Sequence, residues 1–315
     1  MKILPYQKYS LASYPLSPLL HFWGACKTEH HYFLRIIFQT WTDMLVNFGI
    51  KNESLRKSLG DWTLAVGLVL YFFVIAERAR PFNRQFSLSD HTIQHPFAIS
   101  ERVSGIQCLL LGFFVPLITI GVASLYLKQK YKRTHAEYIN LLQISVLGLV
   151  LALSIDGVFT DILKNWIARP RPDFLARCGP RAGTPENKLV GIEVCTAPLG
   201  ELILIDGMRS TPSGHSSISF ACMLYLSLWI WGQFRVFQRN TPMYAFVLLC
   251  MPLLLAFYIA LSRTQDYRHH FGDVFMGGII GCAVGFGVYH KYFPWVGHST
   301  PEKPFSDDSD VVLPL

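Results

Sequence analysis

Six long apolar runs restrict what this chain can fold into more than any other feature of the sequence. Each run is free of charged residues, and a helix that crosses a bilayer needs about 17–25 predominantly apolar residues. One such run could be a buried helix of a soluble protein, but six in one chain predict a bundle embedded in a membrane. The runs cover residues 62–76, 103–127, 138–155, 216–234, 241–262 and 274–289.

The composition excludes the other broad classes of protein. Hydrophobic residues make up 51% of the chain and charged residues only 16%, whereas an average soluble domain carries about 25% charged residues. The formal net charge of +7 suits contact with lipid headgroups or phosphates, and the apolar content argues against nucleic acid as a partner. We therefore predict an all-α polytopic membrane protein with six transmembrane helices in a bundle.

The apolar runs divide the sequence into three predicted parts. Residues 1–60 mix aromatic residues, His and Lys without a clean span, which predicts a cytosolic or interfacial segment. Residues 61–290 hold the six spans. Residues 291–315 end in an acidic Ser/Asp stretch, which predicts a disordered C-terminal tail.

Charge alone does not fix the orientation of this bundle. The short loop 128–137 is rich in Lys and Arg, which favours the cytosolic side of a membrane. The long loop between the third and fourth spans, from about residue 156 to residue 215, is also basic. With six spans, however, the loops after spans one, three and five all face the same side.

Three glycines of the last span share one helix face, because Gly277, Gly281 and Gly285 are spaced four residues apart. Small residues on one face let a second helix approach closely. The pattern favours packing within the bundle over dimerisation. It leaves the oligomeric state open, and a homo-oligomer remains compatible with it.

Three polar motifs lie at predicted membrane boundaries on that common side. Each motif alone is a weak signal, but their combination and order predict one active site at one membrane face. They are Lys164 followed by Arg171-Pro172 in a K-x6-R-P pattern, Pro212-Ser213-Gly214-His215, and Ser262-Arg263 followed by His269 and Asp273 in an S-R-x5-H-x3-D pattern.

The residue types in these motifs suit the chemistry of a phosphate ester. Lys164, Arg171 and Arg263 supply three cations that can hold and neutralise phosphate oxygens. Ser213 and Gly214 open the fourth span, where free backbone N–H groups and the helix dipole favour an anion. These five residues are the predicted phosphate-binding set, and no metal ligand or cofactor is predicted.

The motifs resemble the signature of the type 2 phosphatidic acid phosphatase superfamily. Residues 80–97, Arg171-Pro-Asp-Phe and Ser210-Thr-Pro-Ser-Gly-His are most similar to the fungal diacylglycerol pyrophosphate phosphatase branch. The resemblance implies that both chain ends are cytosolic and that the site lies at the lumenal or extracytosolic face. It is compatible with an endomembrane such as the vacuole, the Golgi or the endoplasmic reticulum.

The resemblance also implies a role for each catalytic residue. His269 attacks phosphorus and forms a phosphohistidine, Asp273 orients it, and His215 protonates the leaving oxygen and then activates water. If the last helix begins at His269, Asp273 lies on the same helix face. The spacing selects Arg171 over Arg169 as the motif arginine. It also selects His269 over its neighbour, which is then expected at the surface or the interface.

Further residues carry weaker expectations. Arg78, Arg80 and Arg177 are predicted headgroup anchors, whereas Asp156 is either a boundary residue or part of a polar core. The loop 80–97 either lines the substrate entrance or is a plain interfacial loop. Cys178 and Cys195 can pair if the long loop faces an oxidising compartment.

The predicted activity is metal-independent hydrolysis of phosphatidate, diacylglycerol pyrophosphate and lysophosphatidate. One alternative is a phosphatase for sphingoid-base or isoprenoid phosphates, which the shape of the lipid slot would decide. Another is a non-catalytic membrane homologue, which the retained His215, His269 and Asp273 disfavour. A third is a metal hydrolase built on the same histidines, for which the sequence contains no recognisable ligand motif.

Overall fold

The computed structural model describes residues 56–76, 78–238 and 241–305, and this part of the chain is helical, with only two isolated β-bridges. The chain divides into two compact units, Met1–Gly60 and Asp61–Leu315. The predicted segment 1–60 lies outside the described residues, except for residues 56–60. The helices are α1 (Leu59–Tyr71), α2 (Gly105–Tyr131), α3 (His135–Ile167), α4 (Phe174–Cys178), α5 (Glu201–Asp206), α6 (Gly214–Gln233), α7 (Met243–Leu249), α8 (Met251–Gln265) and α9 (Phe271–Tyr292).

Several of these helices are long and apolar enough to cross a membrane. Among the described residues four segments meet that criterion, namely Leu59–Ala76, in which a π-helical turn continues α1, and the helices α2, α3 and α9. A fifth span is formed if α7 and α8, which are bent by 45° at Cys250, are taken together. The chain is therefore a multi-pass helical membrane protein, and the count of six spans stays a prediction.

Helix α6 occupies the predicted fourth span and lies at the centre of the bundle. It packs against α2, α3, α8 and α9, and almost all of its residues are buried. Four buried serines reduce the mean hydropathy of this helix. They are Ser216, Ser217, Ser219 and Ser227. A helix enclosed by other helices does not need a lipid-compatible surface, which explains why α6 falls outside the set of apolar spans.

The three glycines of α9 face α6, which confirms that they serve packing within the bundle. A Cβ atom on each of them would clash with a backbone carbonyl oxygen of α6 or of its N-cap residue. Those oxygens belong to Ser213, Ser217 and Ala221. The close approach fixes α9 against α6 at the end of the bundle where the polar motifs lie.

Helix α3 is longer than its apolar run indicates. It extends to Ile167, so Asp156 and Lys164 lie on a helix and not in the long loop. The prediction of a loop from about residue 156 was therefore wrong. Rotamer-flexible residues such as Lys164 are compatible with a helix, and apolarity alone does not reveal where such a helix ends.

The C-terminal tail is ordered for longer than predicted. Arg235 and Glu302 form an ion pair with 2.9 Å between Nε and Oε2, and Gln233 Nε2 donates to the Glu302 carbonyl at 2.9 Å. Phe293 is fully buried. Residues 291–305 are thus packed against the bundle, contrary to the predicted disorder, while residues 306–315 lie outside the described part of the chain.

Candidate active site

The structure brings the three polar motifs together at the start of α6. A Cβ atom on Gly214 would lie 2.6 Å from Lys164 Nζ, so the first and second motifs are in close contact here. Ser213 N donates to the Asp273 carbonyl oxygen at 3.0 Å, which joins the second motif to the third.

His269 is held in one tautomer by a backbone carbonyl. It is 3% exposed, and its Nδ1 lies 2.6 Å from the carbonyl oxygen of Ser210. A carbonyl only accepts hydrogen bonds, so Nδ1 carries the proton and Nε2 keeps a free lone pair. Burial, followed by the charges of Arg171 and Arg263, holds the pKa of His269 well below its usual range. The imidazole is therefore neutral.

Asp273 reaches His269 indirectly, which corrects the expected geometry. Helix α9 begins at Phe271, so His269 precedes the helix and does not share its face. The Asp273 carboxylate accepts from the hydroxyl groups of Ser210 and Thr211, both at 2.5 Å. Ser210 therefore bonds to the carboxylate through its hydroxyl group and to His269 through its carbonyl.

His215 is held in the opposite tautomer. Its Nε2 lies 3.1 Å from the carbonyl oxygen of Val103, so that Nε2 carries the proton and Nδ1 is the free nitrogen. The same carbonyl accepts from Arg263 Nη1 at 2.7 Å. One backbone oxygen thus positions a histidine of the second motif and an arginine of the third.

The first loop, which comprises residues 78–104 between the first apolar segment and α2, contributes more to this site than the sequence indicates. Glu101 Oε2 lies 3.0 Å from Arg263 Nη2. Arg102 pairs with Asp266, with 2.5 Å between Nη1 and Oδ1. Segment 101–103 therefore binds the third motif through three consecutive residues. The only signal in the sequence was the Glu101-Arg102 pair directly before the second apolar run.

The three predicted phosphate-binding cations each pair with a carboxylate. The pairs are Lys164–Asp161 at 3.3 Å, Arg171–Asp206 at 2.7 Å and Arg263–Glu101 at 3.0 Å.

Burial and pairing both change the pKa values of Arg171 and Asp206. Burial lowers the pKa of Arg171 to about 10, which still leaves it charged at neutral pH. Burial acts to raise the pKa of Asp206, but Arg171 and Arg177 outweigh it and lower the value to about 2. Asp206 is therefore ionised, and the arginine is held as a fixed cation.

Two buried polar atoms at the site have no hydrogen-bond partner in the described part of the chain. They are Ser213 Oγ, at the N-cap of α6, and Arg263 Nε. Buried polar groups are normally satisfied, so these two atoms are available to an anion. The first N–H groups of α6 also lack partners within their own helix.

The flanking residues have structural partners of their own. Arg169 Nη1 lies 2.9 Å from Asp273 Oδ1, and His270 Nδ1 lies 3.0 Å from Asp273 Oδ2 at the N-cap of α9. His270 is therefore a capping residue. Asp156 is fully buried on α3, about 12 Å along the helix axis from Lys164.

Arg177 is not a headgroup anchor, in contrast to the prediction. It is buried between Asp173 and Asp206, at 2.9 Å from a carboxylate oxygen of each, whereas Arg78 and Arg80 are exposed. An arginine that saturates its donors on two carboxylates has a fixed geometry. Arg177 therefore supports Asp206, the partner of Arg171.

The long loop is cross-linked by a disulfide between Cys178 and Cys195, the pairing that the sequence made conditional on an oxidising compartment. The bond joins the end of α4 to the segment before α5 and so encloses the loop next to Arg177. In the part of the chain that the structure describes, no group of three or more His, Cys, Asp or Glu side chains is arranged to hold a metal ion.

Comparisons with known proteins agree with this arrangement. Residues 145–296 match the PAP2 superfamily. Diacylglycerol pyrophosphate phosphatase 1 of Saccharomyces cerevisiae is 45% identical over 83% of this chain and 89% of its own. The probable diacylglycerol pyrophosphate phosphatase 1 of Schizosaccharomyces pombe is 39% identical over 76% of this chain and 82% of its own.

A plant protein, lipid phosphate phosphatase 2 of Arabidopsis thaliana, is 31% identical over 76% of this chain and 78% of its own. No solved structure matches the chain. The relatives cover most of both chains, and the family match includes all three motifs. The chain therefore belongs to the PAP2 superfamily, as its motifs predict.

Proposed function

We propose that this protein is a membrane lipid phosphate phosphatase that hydrolyses phosphatidate, diacylglycerol pyrophosphate and lysophosphatidate through a phosphohistidine. The observation that carries the proposal is the neutral, buried His269, whose free Nε2 shares a site with Lys164, Arg171 and Arg263. A neutral imidazole with a fixed tautomer is a nucleophile. Three cations beside it supply the charge that phosphoryl transfer requires.

In the first step Nε2 of His269 attacks phosphorus, and the bond from phosphorus to the leaving oxygen breaks. Before this step His215 takes up a second proton at Nδ1 from water, and it then gives that proton to the leaving oxygen while its Nε2 proton stays on the Val103 carbonyl. The phosphate oxygens are held by the three cations and by the N-terminus of α6. The products of this step are the free alcohol, or phosphatidate when the substrate is the diphosphate, and a phosphohistidine.

In the second step water attacks the phosphohistidine. His215 takes a proton from that water at Nδ1, the bond between phosphorus and nitrogen breaks, and orthophosphate leaves. His269 returns to its neutral form with Nδ1 still bonded to Ser210. The chain's own cations balance the charge in both steps, so the proposal includes no metal ion or cofactor.

The choice of substrate rests on the membrane setting and on the relatives. A site at the end of a helical bundle suits a lipid whose acyl chains remain in the bilayer while its headgroup reaches the boundary. Relatives that cover most of the chain are named as phosphatases for diacylglycerol pyrophosphate and for lipid phosphates. The disulfide supports an extracytosolic site, on an endomembrane such as the vacuole, the Golgi or the endoplasmic reticulum.

A panel of lipid phosphates tests the proposed function. The purified full-length protein is assayed in detergent micelles, with and without chelator, against phosphatidate, diacylglycerol pyrophosphate, lysophosphatidate, a sphingoid-base phosphate and an isoprenoid diphosphate. We expect the highest kcat/KM for the glycerolipids, unaffected by chelator and absent in His269→Ala. Preference for either of the last two substrates would replace the substrate assignment, and loss of activity in chelator would replace the mechanism.

The orientation has a separate test. Lys188 lies in the exposed part of the long loop, and Lys130 is exposed in the last turn of α2. Single cysteines at these positions should react with a membrane-impermeant thiol reagent from opposite sides of sealed vesicles. If both react from the same side, the proposed topology is wrong.

A further inference from the structure

Among the three carboxylates that pair with the phosphate-binding cations, Glu101 differs from the other two. Asp161 lies one helical turn from Lys164 on the same helix, and Asp206 also holds the buried Arg177. Glu101 comes from the first loop, 162 residues away from Arg263 in sequence. Its side chain is 27% exposed and contacts two arginines, Arg263 at 3.0 Å and Arg268 at 2.9 Å.

Both arginines have other anchors. Arg263 Nη1 also donates to the Val103 carbonyl at 2.7 Å and lies 3.7 Å from Asp266. Arg268 donates to the Asp173 carboxylate at 3.0 Å and to the Ala98 carbonyl at 2.9 Å. The two guanidinium groups therefore stay in place without the negative charge of Glu101. The charge of Glu101 is therefore not needed to hold either arginine in position.

The charge does affect what Arg263 can bind. Glu101 occupies Nη2, while the buried Nε of the same guanidinium is unpartnered. An anion that binds through Nε therefore shares one cation with the carboxylate, and two like charges at such a separation repel each other strongly in a buried site. If the carboxylate stays on Arg263, it repels the phosphate. If the phosphate displaces it, the ion pair between Glu101 and Arg263 has to be broken, and both cases weaken phosphate binding.

We propose that Glu101 is a positioning residue that weakens the hold of Arg263 on phosphate and so promotes release of the orthophosphate product. The inference rests on the proposed function, because it requires this site to bind phosphate. It deepens that function by assigning control of product affinity to the first loop. Glu101 acts through Arg263 and does not take part in the bond-making steps.

The substitution Glu101→Gln tests this role because it keeps the size of the side chain and removes its charge. We expect the inhibition constant for orthophosphate, measured with the full-length protein in micelles at constant ionic strength, to fall by about fivefold or more. The same variant should show a larger rise of Tm on addition of orthophosphate. A residue that only supported the fold would change both quantities in the opposite direction.

Two further variants control the result. Glu101→Asp retains the charge and should keep orthophosphate inhibition closer to that of the wild type. Glu201→Gln removes an exposed carboxylate that pairs with Arg80 at 3.5 Å, and should leave inhibition unchanged. If Glu101→Gln does not fold, Glu101→Ala removes the same charge, and the same tightening is expected.

The outcomes separate this proposal from the proposed function. Unchanged or weaker orthophosphate binding in both neutral variants, with the wild type binding normally, overturns the role of Glu101 alone. If orthophosphate neither inhibits nor stabilises the wild type, and Arg171→Lys has no effect on turnover, the phosphate site itself is wrong. Tighter orthophosphate binding in Glu101→Gln and Glu101→Ala, but not in Glu101→Asp or Glu201→Gln, supports both the role of Glu101 and the proposed function.

Discussion

The Nδ1 atom of His269 donates a hydrogen bond to the carbonyl oxygen of Ser210 at a distance of 2.6 Å. A backbone carbonyl cannot take up the proton, so the bond fixes the tautomer at all pH values at which the imidazole is neutral. The carboxylate of Asp273 then acts on the same loop through the hydroxyl group of Ser210. The proposed nucleophile is thus positioned by a main-chain atom and only indirectly by an acidic side chain.

Mutation should distinguish the roles of the adjacent residues His269 and His270. His269→Ala should abolish turnover and leave no acid-labile phosphoenzyme after rapid quenching, because Nε2 is the proposed nucleophile. His270→Ala should still form the phosphoenzyme but lose about 0.5–2 kcal/mol of stability, because His270 caps α9. Phosphate recovered on His270 would show that the assignment of the nucleophile is wrong.

Substitution of Asp273 should have a moderate effect on kcat. A direct carboxylate–histidine pair can lose about 10⁴-fold on conversion to the amide, but here the effect passes through Ser210. We expect Asp273→Asn to lower kcat by about 10²-fold or less, with a lower Tm. Thr211→Val removes a hydroxyl that binds the same carboxylate without holding His269, and should lower Tm with a smaller change in kcat. A loss near 10⁴-fold in Asp273→Asn would favour direct contact.

The proposed general acid can be tested by comparing two leaving groups. The leaving group of phosphatidate is a diacylglycerol alkoxide, which is basic and needs a proton. The leaving group of diacylglycerol pyrophosphate is phosphatidate, a phosphate ester that is much less basic. His215→Ala should therefore lower kcat/KM for phosphatidate more than for the diphosphate. Arg171→Lys keeps the charge but loses the planar fork and should lower both by a similar factor. An unchanged ratio in His215→Ala, with chemistry rate-limiting, contradicts the assignment.

The glycine face of α9 makes a prediction about stability. Gly281→Ala places a methyl group against the Ser217 carbonyl oxygen of α6 and should destabilise the protein by about 1–3 kcal/mol. Gly287→Ala is the matched control on the same helix, since a Cβ there meets no atom within 4 Å. It should leave Tm unchanged or raise it slightly. Equal losses in both variants would contradict the packing.

Local sequence patterns predicted a large part of this arrangement. In the part of the chain that the structure describes, each apolar run corresponds to a long helix or, for residues 241–262, to the bent pair α7 and α8. The spacing of glycines in α9 predicted its packing face, because a helix repeats every 3.6 residues. The three motifs predicted which residues meet at the start of α6, and the structure places Lys164, Gly214 and Asp273 in one cluster.

Contacts between distant parts of the chain could not be predicted in this way. Glu101 and Arg263 meet only because the first loop folds over the bundle, and nothing in either local sequence specifies the other. The burial of Arg177 depends on Asp173 and Asp206 together. At the start of α9 the Asp273 carboxylate accepts from the His270 N–H at 3.1 Å, so that His270 is the N-cap residue and His269 lies before the helix despite a favourable spacing.

The pairing of each proposed phosphate-binding cation with a carboxylate has a consequence for how substrate is captured. Neighbouring charges of opposite sign cancel at a distance, so these paired groups project little field into the surrounding solution. A lipid that reaches the site by diffusion within the bilayer does not depend on long-range attraction. We therefore expect kcat/KM to change little with ionic strength in bilayer vesicles, in contrast to enzymes that capture soluble anions by electrostatic steering.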